Sequence, residues 1–290
     1  MNTALRCTGL GHRYGRHHWG LRDCDLDVPA GRVAALVGPN GSGKTTLMSM
    51  AAGLLPATAG RVEAAGGDPA RRLDRIGFVA QDAPLWPRLR VADVLAVGRG
   101  MNRGFDAEMA AARIRRLGIR PRARIGALSG GERAQVALTL VLAKRPELFL
   151  LDEPLANLDP LARREFLGSM FGACTESGAT VVYSSHAVAE LERICDYLIV
   201  LRAGQVRLAG DIDELRQRHR VIRGPDGWPD GGGWPVISRR SAAGQTTALV
   251  CRADACLAGP GLRQEAPTFD ELVLGYLDGE GARPPAKALA

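Results

Sequence analysis

Gly38-Pro39-Asn40-Gly41-Ser42-Gly43-Lys44-Thr45-Thr46 stands between an apolar run, Val33-Ala34-Ala35-Leu36-Val37, and a helix-like run, Leu47-Met48-Ser49-Met50-Ala51-Ala52. A buried strand, a glycine-rich turn and a helix N-terminus form the setting that a phosphate-binding loop requires. The glycines let successive backbone N–H groups turn toward an anion, and the helix dipole adds partial positive charge there. Lys44 supplies a point charge for the β- and γ-phosphates of a nucleoside triphosphate, and the Thr45 hydroxyl can ligate Mg²⁺. Lysine occurs only at Lys44, Lys144 and Lys287, and the remaining 35 of the 38 basic residues are arginine. A lysine at this one place therefore points to chemistry rather than to solubility.

The 290 residues allow one large domain, or a main domain with a small addition. A hydrophobic content of 46% suffices for a packed core, and 24% charged residues is ordinary for a soluble chain. No stretch approaches the ~18 uninterrupted apolar residues of a membrane span. The first residues, Met1 to Arg6, lack the apolar region of a secretory signal. Cys7, Cys24, Cys174, Cys195, Cys251 and Cys256 form no CxxC pair and have no histidine at metal spacing, as expected of core thiols in a reducing, cytoplasmic setting.

The net charge of +7 raises the question of nucleic acid. The densest basic run is Arg113, Arg115, Arg116, Arg120, Arg122 and Arg124. Its first half reads as the solvated face of a helix, and no aromatic residues interleave for base stacking. Nucleic-acid binding is not expected.

In chain order, residues 1–32 read as short strands with Leu5, Cys7 and Leu10 alternating, before a Pro29-Ala30-Gly31 turn. Tyr14 lies thirty positions ahead of Lys44. It is either an ordinary strand residue or an exposed ring for stacking on a base. Residues 60–63 and 76–80 read as strands, the second ending at Gln81. Trp86, between Pro84 and Pro87, suits either packing or contact with a partner. Val91 to Leu117 is helical in pattern, with a break near 98–104. Leu128-Ser129-Gly130-Gly131-Glu132-Arg133 opens another helix, which runs to Lys144. Ser129 and Glu132 make a capping box there, and the paired glycines also expose N–H groups to an anion.

Residues 147–151 form an apolar strand closed by Asp152 and Glu153. In open α/β sheets ligands bind at the carboxyl ends of strands, so Asp152 falls where a nucleotide's metal would lie. Glu153, one residue on, suits orienting or deprotonating an attacking water. Residues 181–185 form another strand that leads into His186, and residues 196–201 and 205–208 a closing hairpin. Beyond Asp211 the composition changes. Residues 224–235 read as a turn-rich linker, 236–251 as weakly strand-like, and Thr268-Phe269-Asp270-Glu271 as a capping box before a last helix. The tail from Asp278 is rich in Gly, Pro and Ala and is expected to be disordered.

With these pieces placed, residues 3–215 resemble the ATP-binding cassette (ABC) family of ATPases. Gly38 to Thr46 looks like the Walker A loop, Gln81 like the Q-loop glutamine and Leu128 to Glu132 like the family's signature. Leu148 to Asp152 looks like Walker B, Glu153 like the catalytic glutamate, Asn157-Leu158-Asp159 like the D-loop and His186 like the switch histidine. Tyr14 falls where the family places its adenine-stacking aromatic. Two departures are mild: Glu132 stands where glutamine is commoner, and Asn157 where serine or glycine is frequent.

The resemblance implies an α/β fold with a RecA-like P-loop core, an antiparallel β part at the N-terminus, a helical part at about 82–135 and a small C-terminal extension at 216–290. It implies ATP and Mg²⁺, with Thr45, Gln81 and Asp152 toward the metal. It also implies a head-to-tail pair of cassettes, most simply a homodimer, in which Ser129, Gly130, Gly131 and Asp159 face the partner's nucleotide. A separate membrane permease would dock near Trp86 and Leu89, with this chain peripheral on the inner face of the cell membrane. The short C-terminal piece resembles that of single-cassette ATPases paired with exporting permeases, which implies export of a drug, antibiotic or lipid-like cargo. The alternatives are an importer ATPase, or a soluble cassette acting on ribosomes or DNA. The last usually carries two cassettes or a long coiled coil, and the sequence shows neither.

Overall fold

The structure is a computed structural model that describes residues 2–81, 84–155, 158–185, 188–226, 235–251 and 261–279. Two long strands open the chain, β1 (Thr3–Tyr14) and β2 (His18–Pro29), paired as an antiparallel hairpin. Cys24, Leu26 and Val28 of β2 are buried while Asp25 and Asp27 face outward, as a half-covered sheet requires. The hairpin leads to β3 (Val33–Val37), the phosphate-loop segment, and α1 (Lys44–Ala51). Strand β4 (Ala59–Ala64) returns to pair with β1, giving a small antiparallel sheet of order β2-β1-β4.

After β5 (Ile76–Val79) come α2 (Val91–Met101) and α3 (Ala107–Arg116), with the break between them overlapping its expected place. Their core is separate, formed by Val91, Val94, Ile114, Ile119, Ile125 and Leu128 against Val136. Val136 belongs to α4 (Gly130–Lys144), which carries the expected capping box at Ser129. Then follow β6 (Leu148–Asp152), α5 (Pro160–Ser177), β7 (Thr180–Ser184), α6 (Val188–Glu192), β8 (Tyr197–Arg202) and β9 (Gln205–Asp211). The main sheet has the order β5-β6-β7-β3-β8-β9, parallel except for β9. Every residue of β6 and β7 is buried, because helices cover both faces of such a sheet. The α/β fold expected from the sequence is present.

Helix α5 was not anticipated. Asp159 caps it by accepting from the N–H groups of Leu161 and Ala162, Pro160 fills its first position, and Gly178 ends it at φ 65°. Phe166, Met170 and Cys174, four residues apart, bury one face.

Arg113 also departs from expectation. It is buried rather than on the solvated face of α3. Its Nε donates to Thr139 Oγ1 at 3.1 Å, Nη1 to Ser169 Oγ at 2.6 Å and Nη2 to Gln135 Oε1 at 2.5 Å. Burial, with Arg116 adding to it, pushes this guanidinium down to about 10. The residue ties α3, α4 and α5 together. The other members of the basic run are exposed.

Beyond β9 the chain is more ordered than its composition suggests. Helix α7 (Ile212–Arg218) leads to β10 (His219–Pro225), β11 (Val236–Ala242), β12 (Gln245–Cys251) and β13 (Arg263–Glu265), a sheet of order β11-β12-β10-β13. The last helix, α8 (Phe269–Asp278), starts at the expected Thr268–Glu271 capping box. Val221, Ile237, Leu249, Phe269, Leu272 and Tyr276 belong to the same buried cluster as Leu151 and Val200 of the main sheet. Much of the turn-rich 224–235 stretch and the tail from 280 lie outside the described residues. Among the described residues, no helix is long and apolar enough to cross a membrane.

Candidate functional site

Strand β3 delivers its loop at the carboxyl edge of the sheet, the edge on which β6 and β7 also end. Gly43 holds φ 107° there, and a Cβ on it would meet the Gly20 carbonyl oxygen at 2.5 Å. Only glycine can make this turn while β2 packs against it. Helix α1 then starts with no side-chain cap and no acidic residue in its first turn, so its N-terminal N–H groups face the loop uncompensated.

Lys44 is 6% exposed, and its Nζ donates to the carbonyls of Gly38 at 2.8 Å and Pro39 at 3.4 Å. Glu153 Oε1 lies 3.8 Å from the same nitrogen. Burial lowers the Lys44 pKa, and the carboxylates of Glu153 and Asp152 oppose that shift. An anionic ligand at the loop would hold the ammonium charged, and the charge is already positioned.

The carboxylates are arranged by β7. Register places Asp152 beside Ser184, whose hydroxyl donates to Asp152 Oδ1 at 2.7 Å and accepts from the Glu153 N–H at 2.9 Å. Glu153 sits at φ 47°, an uncommon backbone for a non-glycine residue, just past the strand end. Asp152 and Glu153 are thereby separated. Asp152 is 1% exposed beneath the site, whereas Glu153 lines the cavity. Ser184 was not among the residues the sequence singled out. Its role depends on strand register, which no local motif reports.

One cavity of about 360 Å³ joins residues 40–46 to Tyr14, Gln81 and Glu153. His18 and Gly20, also absent from the sequence reading, complete its wall. The Tyr14 ring is 46% exposed, and its hydroxyl lies 3.2 Å from Thr46 Oγ1. Thr45 is exposed beside it. Ser129, Gly130, Gly131 and Asp159 do not line this cavity. In this chain Ser129 caps α4 and Asp159 caps α5. His186 and Asn157 lie outside the described residues.

A triphosphate with a divalent cation fits this donor set. Ser42 Oγ and Asp152 Oδ2 are buried with no hydrogen-bond partner among the described residues, an unusual state for polar atoms and one that ligand oxygens or a cation would relieve. Asp152 and Thr45 offer the hard oxygen donors that Mg²⁺ prefers. No group of three or more His, Cys, Asp or Glu side chains among the described residues could hold a metal by itself. The metal would therefore complete its shell with phosphate oxygens and water.

Strand, glycine-rich loop, helix and acid-tipped neighbouring strand define a P-loop nucleoside triphosphatase. The family profile "ABC transporter" matches residues 21–156. The aliphatic sulfonates import ATP-binding protein SsuB 2 of Xanthomonas axonopodis pv. citri is 39% identical over 204 residues, covering 70% of this chain and 69% of that protein. The molybdenum import ATP-binding protein ModC of Mesorhizobium japonicum is 40% identical over 225 residues, 72% of this chain and 59% of its own length. A solved ATP-binding subunit of an ABC transporter superposes with a TM-score of 0.67 at 27% identity, over 74% of this chain and 92% of that one. The chain belongs to the ABC transporter family and is an ATPase of the ATP-binding cassette type.

Proposed function

We propose that this chain is the ATP-hydrolysing subunit of an ABC importer, acting as a pair of cassettes on a separate membrane permease. The observation that carries the ATPase part is the single cavity holding Tyr14, the Lys44 loop, Gln81 and Glu153, with Asp152 beneath it. Import rather than export is favoured by the relatives, which are named as import proteins for sulfonates and molybdenum. The export expectation rested on the likeness of a short C-terminal piece to that of exporter-type single-cassette ATPases. Residues 219–279 contain a four-stranded sheet with a capped helix, more β structure than that expectation assumed. In this reading residues 1–215 are the cassette, with its helical part at about 82–135, and 216–290 an addition sharing its core.

The residues take the following roles. Lys44 exchanges its contacts with Gly38, Pro39 and Glu153 for the β- and γ-phosphates, and that exchange releases Glu153. Glu153 then orients the attacking water and accepts its proton. Thr45, Gln81 and Asp152 would hold Mg²⁺, which when bound would neutralise phosphate charge. Ser184 keeps Asp152 and Glu153 apart, so that metal ligation and water activation fall to different carboxylates. Tyr14 supports the base, and His186 contacts the γ-phosphate. Ser129, Gly130, Gly131 and Asp159 meet the nucleotide of the second chain, which makes hydrolysis depend on pairing. The chain would then lie peripherally on the cytoplasmic face of the membrane.

The test is co-purification from gently solubilised native membranes, followed by reconstitution in vesicles with ATP on the cassette side. A stoichiometric polytopic protein and ATP-driven cargo uptake toward the cassettes are expected. Cargo movement away from the cassettes would replace import by export. Recovery only with ribosomes or DNA would sink the transporter reading.

A further inference from the structure

We infer that His18 is the second jaw of a two-sided aromatic clamp that grips the nucleotide base opposite Tyr14. This rests on the reading of the cavity as a nucleotide site. His18 and Tyr14 are partners across the β1–β2 hairpin, and both line the cavity that contains the phosphate loop. Their rings are stacked, with planes 30° apart and centroids separated by 6.2 Å. That spacing lies at the wide end of direct aromatic contact. A flat base inserted between two rings sets their planes about 7 Å apart, two stacking steps of roughly 3.4 Å. The rings must therefore part to admit one, and the exposed His18 ring is the one free to swing.

The two jaws are held differently. Tyr14 is fixed: its hydroxyl lies against Thr46 Oγ1, and the buried His12 ring packs edge-on to it at 4.6 Å. His12 is itself anchored through Nδ1 and the Pro56 carbonyl at 2.9 Å. Tyr14 also lies over Gly20, where a Cβ would meet its Cε2 at 2.7 Å. The His18 ring, by contrast, is exposed at the start of β2, just after the tight turn, and makes no side-chain hydrogen bond among the described residues. A rigid platform and a movable cover on one base site is the arrangement a clamp needs. A cross-strand pair serving only the hairpin would not require both rings to line the phosphate cavity.

The experiment is calorimetric titration of wild type, Tyr14→Ala, His18→Ala and His18→Phe with Mg·ATP, and separately with inorganic tripolyphosphate. Stacking on one face of a base should make His18→Ala lose ATP affinity by about 5- to 20-fold. His18→Phe should stay within about twofold of wild type, because it keeps a ring to stack. Tripolyphosphate, which has no base, should bind all four proteins alike. ATP affinity unchanged in His18→Ala while Tyr14→Ala weakens it, or tripolyphosphate affinity falling in parallel with ATP, would overturn the clamp. A wild-type chain that binds neither probe would overturn the nucleotide site itself, and the clamp with it.

Discussion

Ser184→Ala is the substitution whose consequence follows most directly from the structure. The hydroxyl makes two contacts at a fully buried position, donating to Asp152 Oδ1 at 2.7 Å and accepting from the Glu153 N–H at 2.9 Å. The second is partly insured, because the same N–H reaches the Ser184 carbonyl oxygen at 3.2 Å, which alanine retains. The first is not, because among the described residues Asp152 Oδ2 already lacks a partner, and losing Oδ1's partner leaves the carboxylate without one there. A hydrogen bond to a charged group is worth about 1.5–3 kcal/mol, so we expect a loss of about 2 kcal/mol in stability. Denaturant unfolding of wild type, Ser184→Ala, Asp152→Asn and the double variant should give a coupling energy of at least about 1 kcal/mol between the two positions. Groups that orient a metal ligand typically matter by 10- to 100-fold, so the Mg²⁺ concentration for half-maximal ATPase should rise by about that factor. Coupling below about 0.5 kcal/mol together with unchanged Mg²⁺ dependence would refute the relay.

Two further outcomes concern the frame around the site. Arg113→Ala should cost about 3 kcal/mol in denaturant unfolding, because it strands the partners on α4 and α5, and Arg113→Lys should not restore it because lysine cannot span the three acceptors. His219 is buried with Nδ1 on the Leu215 carbonyl and Nε2 on the Tyr276 hydroxyl, and burial lowers its pKa below the ordinary 6.5. The unfolded chain therefore binds the proton first, so stability contributed at this site is present above about pH 6.5 and is lost as pH falls below it. His219→Gln should flatten that part of a pH–stability curve between about pH 7 and 5.

What was legible in the sequence was what is encoded locally. The phosphate loop, the acid-tipped strand, and the capping boxes at Ser129 and Thr268 each complete their signal within about ten residues. The structure reproduces the strand, loop and helix boundaries around them. Helix α5 was locally legible too, with Asp159, Pro160 and the Phe166–Met170–Cys174 spacing, but its charged residues mask the stripe. Arg113 and Ser184 are different in kind. An arginine among arginines becomes a buried tie only when α3 packs on α4 and α5. A serine ending a strand becomes a relay only when β6 and β7 pair in register. The cavity wall at His18 and Gly20 likewise exists only because β2 passes over the phosphate loop.

The central claim is that one ATP site is completed by a second chain and is discharged by Glu153. Sedimentation of Glu153→Gln with Mg·ATP tests it directly, with bound nucleotide counted in the same sample. The account predicts a dimer retaining two unhydrolysed ATP molecules, which reverts to monomer when Lys44→Ala is added. A Glu153→Gln chain that stays monomeric with ATP bound, or that hydrolyses ATP at the wild-type rate, would contradict it.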